Sequence, residues 1–241
     1  MSSGIYSALS GALVKMQKLD VAVHNLANVG STGFKASRLS FAAMVDGNLQ
    51  NTRGNGMNFT RTSVRDVDFS QGTIEKTDRN LDLAIEGEGF FKLAGPEGFL
   101  YARQGNFRLD PEGNLMTATG NLQVVGEDGP LNFPHENVFI GGQGQVIADG
   151  APIGRITLYD VPDRQALVQQ ADGVFALRPG TADLPADGAR LVQGSLEHSN
   201  VNPLLLSTEI IEIKRAYAVY MQAMKTYSDL GEKANQIGQV Q

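Results

Sequence analysis

Two apolar stripes, one at each end of the chain, keep the same step. Ile5, Leu9, Ala12, Met16, Leu19, Val23 and Leu26 rise by 4, 3, 4, 3, 4 and 3 residues, and Leu206, Ile210, Ile213, Tyr217, Tyr220, Met224 and Tyr227 repeat that series near the other end. A heptad stripe is one narrow face of a helix, and it must be covered by a second helix. No proline interrupts the first stripe, and a helix from about Ser3 to Asn28 would run roughly 39 Å at about 1.5 Å per residue. The second begins at Asn202-Pro203, where Asn accepts from an orphan N–H and Pro at the first helical position gives up nothing. Past Tyr227 the next seam positions would be Gly231 and Ala234, so that end is expected to be looser.

Between the stripes, over roughly residues 40–195, the period becomes two. In LDLAIE (81–86), Leu81, Leu83 and Ile85 share one face and Asp82, Ala84 and Glu86 the other, the pattern of a half-buried strand. FFKL, FLYAR, NFRLD, LQVV, GRITLYDV and GVFALRP read similarly. AGPEG (94–98), DPEGN (110–114), GEDGP (126–130) and GGQG (141–144) punctuate them as turns. Many short strands at this spacing predict an antiparallel all-β domain. DGNLQNTRGNGM (46–57) is polar and patternless, and reads as a linker or as a loop ordered only against a partner. The fold class is therefore α+β: two terminal heptad helices pairing as a coiled coil, with a mainly antiparallel β domain between them.

Composition excludes several functions. The net charge of −6 argues against a phosphate-tracking nucleic-acid binder, which needs clustered Lys and Arg. No cysteine is present, which removes disulfides, thiolate metal sites and cysteine nucleophiles together. No apolar run approaches a membrane span. The first positive charge, Lys15, follows apolar positions broken by Ser and Gly, so the N-terminus does not read as a secretory signal.

Each motif that could carry site chemistry lacks a part which that chemistry needs. His24, His135 and His198 are far apart in sequence, and none has metal-ligand spacing to another. GGQGQVIADG carries Ile147 where a dinucleotide fingerprint needs its third glycine, and HNLANVGSTGFK (24–35) lacks the Gly-Lys-Ser/Thr ending of a phosphate loop. DVDFSQGTIEKT from Asp66 mimics a calcium loop at three positions, but its glycine comes one place late and Thr77 replaces the bidentate Glu. The pairs Glu86/Glu88 and Asp110/Glu112 could be pressed into acid–base roles; as solvated turn residues they need no such role. No cofactor, metal or catalytic residue is assigned, and the chain is not expected to be an enzyme. A soluble β-domain enzyme or a carbohydrate-binding module on a helical stalk is the competing class, and it requires a concave polar site on the β domain.

The motifs together resemble the axial family of the bacterial flagellum, the rod, hook and hook-associated proteins. NLANVGSTGFK is similar to the family's helix-end signature, and LDLAIEGEGFF (81–91), YARQGNFRLDPEGNLMTATG (101–120) and LEHSNVNP (196–203) to its middle and C-terminal signatures, in the expected order over nearly the whole chain. Relatives often carry an acidic residue where this chain has Leu204-Leu205, completing a capping box. The resemblance implies a discontinuous coiled-coil domain (1–30 and 200–241), a connecting region (31–75) and an outer all-β domain (76–199). It also implies helical stacking, with copies of itself and with other rod subunits, into a periplasmic drive shaft of the basal body that carries motor torque to hook and filament. Export would run through the flagellar type III apparatus, without a cleaved signal peptide. The chain has no room for the large extra outer domain of hook proteins. VVGEDGPL (124–131), PIGRITLYD (152–160) and KANQIGQVQ (233–241) resemble the proximal more than the distal rod branch.

Three residue sets follow. The fourteen stripe residues are the expected assembly seam. Asn25, Asn28, Gly30, Thr32, Gly33, Phe34 and Lys35 form an expected junction. There Leu26 ends the stripe, the asparagines satisfy open backbone groups at the helix end and bond across subunits, Gly30 and Gly33 take left-handed conformations, and Phe34 anchors the exit. Ser199, Asn200, Asn202 and Pro203 are expected to start the C-terminal helix.

Overall fold

A computed structural model describes residues 2–44, 59–96, 98–127, 129–170, 173–186 and 188–238; the expected linker at 46–57 lies outside them, as do Glu97 and Asp128 of two expected turns. The architecture is α+β: helix α1 (Ser2–Ala27), helix α2 (Pro203–Gly238) and, among the described residues, 19 short strands between them. It divides into two units. One comprises Met1–Ala27, Ser37–Asp68 and Val201–Gln241, and the other Asn28–Ala36 and Phe69–Asn200.

In the first unit α1 and α2 pack on each other. Leu19, Ala22 and Leu26 meet Leu206, Ile210 and Ile213, while Gly11 faces Tyr220, so the pair is antiparallel. The α1 face turned inward overlaps the expected stripe at alternate positions only. Ala12 is buried and Ile5, Leu19 and Leu26 are partly buried, but the residues that a heptad step places between them are Ala8 and Ala22, both buried, and Lys15, half-buried; Val21 is buried as well. Leu9, Met16 and Val23 stay exposed. Both series keep a heptad step, and the difference is whether the second position lies three or four residues past the first. The close approach shows at Gly11, where a built Cβ would fall 2.4 Å from a Tyr220 ring carbon. On α2, Leu206 and Ile213 are buried, Ile210, Tyr217, Tyr220 and Met224 are partly buried, and Tyr227 is exposed. Beyond Tyr227 the helix continues through Gly231 to Gly238. Strands Ser37–Met44 and Phe59–Val67 complete the unit as an antiparallel pair with a register shift between Leu39 and Phe41.

The second unit holds a ten-stranded sheet in which Leu167–Gln169, Val174–Leu177, Gly98–Ala102, Phe90–Gly95, Gln123–Gly126, Leu115–Thr117 and Phe107–Leu109 follow one another, each pairing antiparallel. Smaller pairings flank it, among them Leu83–Glu86 with Arg190–Gln193 and Ile74–Lys76 with Ser195–Glu197. The core runs from Leu81 to Leu191 and includes Leu83, Ile85, Phe91, Leu93, Phe107, Leu115, Phe133 and Ile156. LDLAIE is covered on both faces, since Asp82 and Ala84 are as buried as Leu83 and only Glu86 emerges. GRITLYDV is two strands rather than one, Ala151–Arg155 in a three-stranded sheet and Leu158–Asp160 in the large one. Period two cannot register a strand that is buried on both sides or one that changes sheets.

The DPEGN turn shows the side-chain chemistry at its clearest. Asp110 accepts from the Glu112 and Asn114 amides at 3.0 and 2.7 Å and from Asn114 Nδ2 at 2.8 Å, and Gly113 supplies φ +84°. The Asn114 side chain, aided by those amides, holds the Asp110 carboxyl below its ordinary 3.8 despite some opposing desolvation. A depressed carboxyl contributes its stabilisation above the unfolded value and loses it as pH falls through the folded one. Protection of the Asn114 amide, taken relative to the intrinsic exchange rate at each pH, is therefore expected to be constant above about pH 4 and to fall as the solution is acidified below it, and Asp110→Asn should remove that dependence. In the helix pair, Gly11→Val is expected to cost about 1–3 kcal/mol by overpacking. Far-UV circular dichroism during urea unfolding would show this, and Tyr220→Ala should relieve part of it in a double-mutant cycle.

The junction and its buried charge cluster

Each expected junction residue has a definite place. Asn25, in the last turn of α1, donates from Nδ2 to the Ser37 carbonyl at 2.8 Å and accepts from the Ser37 amide at 2.9 Å. An amide side chain thus completes both backbone groups of one residue, which a helix terminus cannot supply by itself. Asn28 closes the turn that follows: its carbonyl accepts from the Ser31 amide at 3.1 Å and its Oδ1 from the Ser31 hydroxyl at 3.2 Å.

The two junction glycines differ. Gly33 has φ +65° and donates to the Glu197 carbonyl at 2.7 Å, and a Cβ there would lie 2.3 Å from the Arg103 carbonyl carbon. Gly30 lies in the turn but, against expectation, is not left-handed, and a Cβ there would meet nothing within 4 Å. Thr32 donates to Asn106 Oδ1 at 3.3 Å. Phe34 is buried, and its carbonyl accepts from the Asn200 amide at 3.4 Å.

Lys35 follows, with its side chain fully enclosed. Its ammonium donates to Glu197 Oε1 at 2.6 Å and to the Ser70 carbonyl at 2.7 Å. Glu197, equally enclosed, also accepts from the Gly72 amide at 2.8 Å and from Arg103 Nη1 at 3.2 Å. Arg103 completes the cluster by donating to the Ile85 and Gly87 carbonyls at 3.3 and 2.6 Å, with its guanidinium 5.6 Å from the Phe90 ring centroid. Burial pulls the Arg103 guanidinium below its ordinary range, and the Glu197 carboxylate partly restores it. Opposite charges whose other bonds go to backbone groups are the condition under which such a cluster survives burial, and Arg103 Nε is the one buried atom of the three side chains left without a hydrogen bond among the described residues.

Around the C-terminal helix start, Asn202 Oδ1 accepts from the Leu204 and Leu205 amides at 3.1 and 3.2 Å, so the cap is made without an acidic partner. Pro203 is the first residue of α2. Asn200 belongs to the β unit: its Oδ1 accepts from the Ala36 amide at 2.8 Å, and its Nδ2 donates to the Ser70 carbonyl and hydroxyl at 3.2 and 3.1 Å. Ser199, beside it, is partly buried. Glu197 and Arg103 were not singled out from the sequence. Both lie inside stretches that carry the family resemblance, LEHSNVNP and YARQGNFRLDPEGNLMTATG, but nothing local marks either as buried.

The β unit also carries two grooves. One, of about 760 Å³, is lined by Phe99, Tyr101, Lys92 and Asp183, and another, of about 640 Å³, by Glu127, Arg155, Tyr159 and Arg190. In the first, Lys92 pairs with Asp183 at 2.7 Å and stands 4.4 Å from the ring centroids of Phe99 and Tyr159. Glu88 pairs with Arg164 at 3.1 Å, and Asp110 is engaged in its turn. Among the described residues no group of His, Asp and Glu could hold a metal ion, and no helix is long and apolar enough to cross a membrane.

A helix pair made from the two chain ends, an interposed antiparallel β unit and a Thr-Gly-Phe-Lys junction tied to the C-terminal signature define an axial protein of the bacterial flagellum. Residues 84–148 match the family described as the flagellar hook protein FlgE/F/G D1 domain, and residues 192–237 match the flagellar basal body rod FlgEFG protein C-terminal family. Among curated relatives, the flagellar basal-body rod protein FlgF of Caulobacter vibrioides is 31% identical over 97% of both chains. FlgG of Bacillus subtilis is 31% identical over 95% of this chain and 97% of its own. FlgF of Salmonella typhimurium is 30% identical over 98% of both. The chain belongs to the flagellar basal-body rod family, whose members are structural proteins of the motility apparatus.

The glycines give a paired test. Gly33→Ala must strain a left-handed backbone and displace the Arg103 main chain, and is expected to destabilise the β unit by at least about 2 kcal/mol. Gly30→Ala should stay within about 0.5 kcal/mol of the parent. Chemical denaturation followed by tyrosine fluorescence would separate the two.

Proposed function

We propose that this chain is a structural subunit of the proximal rod, polymerising helically with copies of itself and with other rod subunits into the periplasmic shaft that carries torque to hook and filament. The observation that supports it is the outward face of the helix pair. Much of the α1 face turned inward is small, with Ala8, Gly11, Ala12 and Ala22 beside Leu19 and Leu26, and many of the large residues are left outside. Tyr6, Leu9, Leu13, Met16 and Val23 stay exposed on α1, as do Ile211, Val219 and Met221 on α2, with Leu204 and Leu205 at 81% and 71% exposure. Apolar surface on this scale is rarely left in water and marks an association surface. With two helices per subunit, a helical stack lets each copy cover its neighbours' stripes, and torque then passes through many shared contacts.

Relatives of both the FlgF and FlgG kinds align over nearly the whole chain. The placement in the proximal rod rests on VVGEDGPL, PIGRITLYD and the C-terminal segment. We further infer passage through the flagellar type III export apparatus, in keeping with the family.

The test uses the leftover face. Leu9→Asp, Leu13→Asp and Met16→Asp together alter exposed positions, so the isolated protein should keep its unfolding midpoint to within about 0.5 kcal/mol while cells making it lose motility and the external filament. Ile213→Asp, at a buried pairing position, should instead destabilise the helix pair itself. Normal motility in the exported triple variant would refute the assembly role of this face.

A further inference from the structure

The chain changes sheets between Ala151–Arg155 and Leu158–Asp160, and the groove of about 640 Å³ opens beside that crossing. Ile156 and Leu158 belong to the core, and the three residues that alternate with them, Arg155, Thr157 and Tyr159, line the groove. Arg190, Glu127 and Gln143 line it as well, and all three are exposed. The walls are already fixed. The Gly142 carbonyl accepts from the Leu191 amide at 2.9 Å, and Lys92 stands 4.4 Å from the Tyr159 ring centroid. A preformed concave site of this size, with an apolar floor and a few convergent polar groups, is what small ligands fill.

The fold leaves the polar groups of this site largely unused. The Thr157 hydroxyl oxygen is buried and has no hydrogen-bond partner, which is unfavourable unless a group from outside the chain bonds to it. Arg155 is oriented without being consumed: its Nε donates to the Gln143 carbonyl at 3.1 Å, while its Nη1 lies 3.8 Å from Glu127 Oε2, too far for a hydrogen bond. Arg190 stands opposite Glu86 in the strand register, yet among the described residues its side chain makes no ion pair or hydrogen bond. We propose that this groove binds a saccharide that carries a carboxylate. The two guanidinium groups offer the paired, charge-assisted donors that a carboxylate fits. The Thr157 hydroxyl and the planar ends of Gln143 and Glu127 offer donors and acceptors to sugar hydroxyls, and the Tyr159 ring and the apolar floor cover the ring carbons. A bare anion would be repelled by Glu127 and would leave sugar-sized space unfilled; a neutral sugar would leave both arginines without a counter-charge. The site lies within the β unit and does not depend on polymerisation through the helix pair.

Amide chemical shifts of the full chain, titrated with D-glucuronate, D-glucose and succinate, test this. Glucuronate should shift the Gly142, Thr157 and Arg190 amides with a dissociation constant on the order of 1 mM. Glucose and succinate should each bind at least about tenfold more weakly. Arg190→Gln should weaken glucuronate binding about tenfold. Thr157→Val should weaken it about fivefold without lowering the thermal unfolding midpoint, because it removes a buried hydroxyl that the free protein leaves unbonded. Absence of shifts at these amides with glucuronate would overturn the site. Succinate binding as tightly as glucuronate would overturn the saccharide, and glucose binding as tightly would overturn the carboxylate. Glucuronate binding that neither substitution changes would overturn the residues assigned.

Discussion

One carboxylate between two buried cations is the constraint on which the β unit's boundaries depend. Glu197 accepts from Lys35, Arg103 and the Gly72 amide, and each of those donors comes from a different part of the sequence. The desolvation of three ionised groups is tolerable because most of their hydrogen bonds are made to one another or to main-chain groups. That requirement fixes geometry more tightly than apolar packing would. Lys35 can reach Glu197 only if Gly33 turns left-handed against the Arg103 backbone, and Glu197 can reach Lys35 only if Ser195–Glu197 pairs with Ile74–Lys76. The Thr-Gly-Phe-Lys sequence is therefore a single device: a turn, an anchor and a charge.

A different economy governs the helices. A pair that put Leu9, Met16 and Val23 inside would bury more apolar area within the subunit. The observed pair puts alanine and glycine there and lets the backbones close up, with Tyr220 filling the space over Gly11. At about 25 cal/mol per Å² of apolar surface, the stripe left outside represents stabilisation that the isolated chain forgoes and that association can recover. Subunit stability and assembly are thus drawn from opposite faces of one helix.

Much of this was legible in the sequence. The terminal helices, the change to period two between them and the turns at 110–114 and 141–144 follow from spacing and from turn chemistry that acts over four or five residues. Asn202-Pro203 began its helix as local rules require, with Oδ1 capping two amides. These features depend on neighbours in the chain, and a sequence displays its neighbours.

What tertiary structure alone decided was direction and depth. The heptad step permits an inward face at either i+3 or i+4, and only the presence of α2, with Tyr220 opposite Gly11, selected the alanine side. LDLAIE alternates like a half-exposed strand, yet Asp82 and Ala84 are covered by chain that arrives from other parts of the sequence. Lys35, Arg103 and Glu197 look like ordinary surface charges when read singly, because nothing within several residues of each reports the other two. The sequence by itself determined the elements and their ends; the long-range pairing of charges and faces, which rests on contacts between residues tens to hundreds of positions apart, could be decided only by the fold.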